Sequence, residues 1–185
     1  MIIRLKIQLL SGAYAPSWDW IREIEIDQDT ILLNLHDVIQ GLADFDDDHM
    51  FEFFLGRNQF NHRIIFDPEE ETAYAKPSLE LKREQDDMIR KSFQSDDSKD
   101  LQHLLSSLPS NPFPDKTLEE ITIADALTLK TGKLKLFYYF DFGDSWYFQI
   151  NKTRHKPREP EDGVKYPRVI AAEGKNFDQY PSFEE

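Results

Sequence analysis

The sequence predicts an α+β fold: a mainly antiparallel sheet packed against helices, with a charged, partly helical insertion. Three observations predict it. Several segments alternate apolar and polar residues with a period of two, which is how a strand buries one face. Residues 31–42 instead repeat their apolar side chains at helical spacing. Asp- and Gly-bearing turns punctuate the strand-like segments, as chain reversals require.

Residues 2–10 read as the first strand, with Ile3, Leu5, Ile7 and Leu9 on one face and Arg4, Lys6 and Gln8 on the other. Ser11-Gly12 and Pro16-Ser17 mark a turn region. A second strand over 20–26 sets Trp20, Ile24 and Ile26 against Glu23 and Glu25, and pairs antiparallel with the first. Asp27-Gln28-Asp29-Thr30 supplies N-cap candidates for the helix over 31–42, whose stripe is Leu32, Leu35, Val38, Ile39 and Leu42. After the acidic turn Phe45-Asp46-Asp47-Asp48, a strand puts His49, Phe51, Phe53 and Leu55 on one face and Met50, Glu52 and Phe54 on the other. His62 to Phe66 forms a further strand.

Residues 67–116 change texture, being charged and poor in aromatics, and read as an insertion within a single domain spanning 1–185. A thinly striped helix is expected at 78–93, and a clearer one at 101–108 from Leu101, Leu104, Leu105 and Leu108. Ile121 to Leu127 makes a short helix. The clearest hairpin follows: Leu134, Leu136, Tyr138 and Phe140 alternate with Lys135, Phe137 and Tyr139, and Trp146, Phe148 and Ile150 return. The corner Asp141-Phe142-Gly143-Asp144-Ser145 supplies turn chemistry, with Gly143 free to take positive φ. Beyond Pro157 the chain is Pro-rich and charged, with one apolar run at Val169-Ile170, and 176–185 is expected as a flexible tail.

Hydrophobic residues make up 39% of the 185 and Phe alone contributes 14, enough for one core packed with rings. There is no Cys, which excludes disulfides, thiolate metal ligands and a Cys nucleophile. The first residues lack the pattern of a signal peptide, and no stretch approaches the roughly 20 apolar residues of a membrane span, so the cytoplasm is the expected location. A net charge of −13 repels nucleic-acid phosphates and favours basic protein partners. The basic run Lys152, Arg154, Lys156 and Arg158 is followed at once by Glu159, Glu161 and Asp162, which makes it a mixed-charge loop.

Three segments together resemble a known family. They are Asp29-Thr30 with Leu35-His36-Asp37-Val38-Ile39-Gln40, then Phe45-Asp46-Asp47-Asp48-His49-Met50-Phe51-Glu52-Phe53, and Phe137-Tyr138-Tyr139-Phe140-Asp141-Phe142-Gly143-Asp144-Ser145-Trp146. In this order the chain resembles the Ri-plasmid open-reading-frame-three-like family, also called insertion-element passenger (TnpR-like) proteins, over about 2–66 and 117–175. Tyr166-Pro167-Arg168 with Glu173-Gly174 is similar to its later segment, although the family's usual Cys and its Cys-Pro-Pro-Glu-Asp stretch are absent here. The resemblance implies an antiparallel sheet packed on helices and occurrence on plasmids beside mobile elements. It implies no accepted activity.

The candidate site gathers His36, Asp46, Asp48, His49, Glu52, Tyr139, Asp141, Asp144 and Trp146. Two imidazoles and several carboxylates suit a divalent cation such as zinc or manganese, with His36, His49 and Asp48 as ligands and a bound water as hydrolytic nucleophile. The blander reading gives each a structural role: turn capping for the aspartates, core packing for Trp146, a helix–sheet hydrogen bond for His36. No cofactor is predicted. A non-enzymatic interaction module using the aromatic hairpin is the preferred reading, and a metal-dependent hydrolase the alternative.

Overall fold

The computed structural model describes residues 1–13, 19–46, 49–66, 112–113 and 116–180. The helices expected at 78–93 and 101–108, and Asp48, lie outside the described residues.

Strand β1 (Ile2–Ser11) carries the alternation furthest, with Ile3, Leu5, Ile7 and Leu9 at most 1% exposed. It therefore sits inside the sheet. It pairs antiparallel with β2 (Ile21–Asp27) on one side and with β6 (Trp146–Lys152) on the other. The remaining strands are β3 (Phe51–Gly56), β4 (His62–Phe66), β5 (Lys135–Phe140) and β7 (Arg168–Glu173). Seven strands run in the order β4-β3-β5-β6-β1-β2-β7, every pairing antiparallel.

The inner face carries the main core, where Phe53, Tyr138, Phe140, Trp146 and Phe148 join the β1 aliphatics. Helix α1 (Leu32–Ala43) covers it with Leu32, Leu35 and Ile39. Its cap differs from expectation. The N-cap is Ile31 and no side chain caps it; the first N–H groups go to backbone, Leu32 N to Ile121 O at 2.8 Å and Leu33 N to Leu118 O at 3.3 Å. The segment whose carbonyls accept these N–H groups leads into helix α2 (Ile123–Thr128), which has a capping box between Thr122 and Asp125. Asp27 is occupied elsewhere, accepting from the N-terminal ammonium and from Asp29 N.

With two helices among the described residues the fold is mostly sheet, so the antiparallel sheet is as expected and the helical share is smaller. The corner after β5 also differs. Positive φ falls on Asp141 (49°) and Ser145 (57°), and Gly143 is not among the positive-φ glycines. Asp141 Oδ1 accepts the N–H groups of Gly143 and Asp144, the local hydrogen bonding that lets Asp adopt this conformation. Residues 176–180, expected as part of a tail, make specific contacts: Asn176 accepts from Trp20 and Arg22, Phe177 stacks on Trp146, and Gln179 is 5% exposed.

Candidate functional site

The sheet sorts the candidate residues by face. His36 and Trp146 lie within the inner core, Glu52 and Tyr139 stand on the outer face, and Asp46, His49, Asp141 and Asp144 gather at one end where two loops meet.

His36 projects from α1 onto the sheet, 2% exposed, with its ring stacked on Phe51 at 3.7 Å. Its Nδ1 lies 2.6 Å from the Tyr138 hydroxyl, which also accepts Gln40 Nε2–H at 2.6 Å. The Tyr138 hydroxyl joins His36 Nδ1 and Gln40 Nε2, two side chains one turn apart on α1, to the sheet. The His36–Tyr138–Gln40 chain is thus a helix-to-sheet clasp.

The bend after α1 and the corner at 141–145 lie side by side. Asp141 N donates to Met50 O at 3.0 Å, and Phe45 packs edge-on against Trp146 at 4.7 Å. His49 Nε2 stands 2.6 Å from the Tyr180 hydroxyl and 3.7 Å from Asp141 Oδ2. Asp46 N donates to Gln179 Oε1 at 2.6 Å. The 176–180 segment therefore straps over this corner. Among the described residues no three His, Asp or Glu side chains are placed to hold a metal ion. Of the expected ligands, His49 lies beside Asp141, His36 directs Nδ1 at the Tyr138 hydroxyl, and Asp48 lies outside the described residues.

On the outer face, Glu52 and His62 form a 2.7 Å ion pair that sequence reasoning missed. His62 also stacks on Phe54 at 3.6 Å and points Nε2 at Gln59 O, 3.1 Å away. A carboxylate and a carbonyl both accept, an arrangement that favours the doubly protonated ring. Burial opposes that charge, but the hydrogen bond and charge of Glu52, helped by Gln59 O, raise the His62 pKa above 6.5.

Beside that pair runs a ladder of rings. Phe60 meets Tyr147 edge-on at 5.9 Å, Tyr147 stacks on Tyr139 at 4.1 Å, and Tyr139 stacks on Phe142 at 4.5 Å. Both ends are open, Phe60 at 77% and Phe142 at 41% exposure, while Tyr147 at 8% anchors the middle. Burial, then the neighbouring Tyr139 phenol, pushes the Tyr147 pKa up, so this buried phenol stays uncharged at neutral pH. Period-two alternation in the hairpin pointed to Tyr139. Phe60 sits in a loop that the alternation does not reach.

A second feature went unread. Glu25 was expected on the outward, polar face of β2, yet it is 0% exposed. Arg4 Nε (2.9 Å), Arg158 Nη2 (2.7 Å) and Arg168 Nε (2.7 Å) all donate to its carboxylate. Burial would raise its pKa, but the hydrogen bonds from Arg168, Arg4 and Arg158 and the charge of Arg158 overcome this and hold it at about 2. Arg158 also pairs with Glu161. The mixed-charge loop is thus anchored through Arg158.

Among the described residues, a seven-stranded antiparallel sheet with helix α1 across its inner face defines the fold class. The chain belongs to the plasmid pRiA4b ORF-3-like protein family, whose profile matches residues 1–178. A crystal structure of a protein of unknown function from Methanosarcina mazei Go1 is similar, with a TM-score of 0.54 and 20% identity over 92% of this chain and 68% of that one. At that identity the likeness is one of fold. No curated protein matches the chain. Among the described residues no helix is long and apolar enough to cross a membrane.

Proposed function

We propose that this chain is a non-enzymatic interaction module of a mobile-element-associated family, and that the aromatic ladder on the outer sheet face is where it binds another protein. The observation that carries the reading is the ladder itself. Two large exposed rings, Phe60 and Phe142, stand on a rigid stacked pair, Tyr139 and Tyr147. Rings held in place bind with little loss of side-chain freedom, which is why aromatic residues dominate interface hot spots.

The partner is a basic protein. With a charge of −13 the chain attracts cations at long range and repels phosphates. The test is copurification from the native cells with wild type and with a Phe60→Ser/Phe142→Ser double variant. A basic protein retained by wild type, released by salt, and held at least about tenfold less by the variant supports the reading. Equal retention by both, with thermal melts unchanged, removes the ladder from the account.

Metal-dependent hydrolysis is a second reading that draws on one observation, His49 beside Asp141 in the strapped corner. Stoichiometric zinc or manganese in protein purified without added metal, lost in His49→Ala, would favour it.

A further inference from the structure

The ends of a sheet are where unpaired backbone N–H and C=O groups seek partners. Strand β7 is one end of this sheet, and among the described residues no strand pairs with its outer side. Its side chains are also bare: Val169 is 51% and Ile170 36% exposed, and Ala171, Ala172 and Glu173 are exposed as well. An apolar edge of this kind is a template for a further strand.

The register identifies which strand fits. β7 pairs with β2 through Arg168↔Glu25, Val169↔Ile24, Ala171↔Glu23, Ala172↔Arg22 and Glu173↔Ile21, and Ile170 is the extra residue of a bulge. Because of that bulge, Arg168, Ala171 and Glu173 share the outer face, while Val169 and Ala172 share the inner face. Along the ladder the order is Arg168, Val169, Ala171, Ala172, Glu173, with opposite charges at the two ends of one face. Turned end for end, the strand presents the complement of itself.

We propose that the outer edge of β7 pairs antiparallel with β7 of a second copy of this chain, about a two-fold axis through Ala171. Each Arg168 then stands opposite Glu173 of the second copy, twice across one seam, and each Val169 stands opposite an alanine. A two-fold perpendicular to the sheet keeps faces in agreement, as antiparallel pairing demands. A foreign strand would have to carry an acid and a base at these same two positions; β7 carries both itself.

The inner face adds contact area. A groove of about 160 Å³ runs between α1 and β7, lined by Ile24, Val38, Leu42, Pro167 and Val169. The two-fold sets both α1 helices on the same side of the joined sheet, so the two grooves open towards one another. The Phe60–Phe142 ladder lies towards the opposite edge of the sheet, so pairing at β7 leaves it accessible.

The test is sedimentation equilibrium of the full chain at 0.15 M salt, where repulsion between two chains of −13 is screened beyond about 8 Å. Wild type is expected to show a concentration-dependent dimer. Glu173→Arg sets one arginine against another at each end of the seam, and Ala171→Lys sets one lysine against another at the axis; each should weaken the dimer at least about tenfold. Both positions are exposed, and thermal melts matching wild type establish that the fold is intact. Wild type that stays monomeric up to on the order of 100 µM, or a dimer equally strong in both variants, overturns the proposal.

Discussion

Tyr139 and Tyr147 lie face to face across the β5–β6 pairing, with 4.1 Å between ring centroids and 6° between planes. They are directly opposed residues on the outer face, the arrangement in which cross-strand aromatic pairs contribute most. Their stack fixes two exposed rings, Phe142 on one side and Phe60 on the other. A single strand pairing therefore turns hairpin alternation into a binding ledge.

The two parts of the ledge differ in what their loss costs. Tyr147→Ala removes a largely buried ring and should lower stability by about 3 kcal/mol. Phe60→Ser removes an exposed one and should change it by no more than about 0.5 kcal/mol. Urea unfolding of both variants measures the difference.

Glu25 sets the acid limit of the fold. Its folded pKa of about 2 is depressed from an ordinary 4.5, so its contribution is complete above 4.5 and disappears as pH falls towards 2. Glu25→Gln leaves three guanidinium groups around a neutral amide and should cost about 3 kcal/mol at pH 7. The gap between wild type and variant should close between pH 4.5 and 2 in denaturant melts.

His62 gives the opposite slope. Its folded pKa is raised above 6.5, so its contribution is present in full below 6.5 and is lost as pH climbs through the folded value. Titration followed by NMR should place its midpoint above 6.5, and Glu52→Gln should move it down.

Gly12 is required by the core instead of by its own backbone. A Cβ there would overlap the Trp146 ring and approach its Cδ2 to 2.7 Å. Trp146 is 0% exposed and wedged between Phe45 and Phe177, so it has little room to yield. Gly12→Ala should destabilise by about 2 kcal/mol, read as a fall in melting temperature.

The sheet was legible where one face is buried and the other wet. Ile3, Leu5, Ile7 and Leu9 give away β1 because Arg4, Lys6 and Gln8 between them are polar, whereas the hairpin buries Phe137 and Tyr147 on its outer face as well. β7 escaped because Val169, Ile170, Ala171 and Ala172 are apolar in succession and the bulge at Ile170 breaks the alternation. Glu25 read as solvent-facing since parity assigns a face without saying what covers it. Arg158 and Arg168, more than a hundred residues further on, close over that carboxylate. The Glu52–His62 pair likewise depends on the register of β3 against β4. The loop neighbourhood of His49 and Asp141 was legible, because a helix laid across the sheet must return the chain to the hairpin corner.

The claim that the outer ladder is the binding surface is tested most directly by a photo-crosslinking residue in place of Phe60, compared in the native cells with the same residue at Asp29 on the far side of the fold. A discrete basic protein joined at position 60 and absent at position 29 is the predicted result. The same adducts from both positions, or none from position 60, would contradict it.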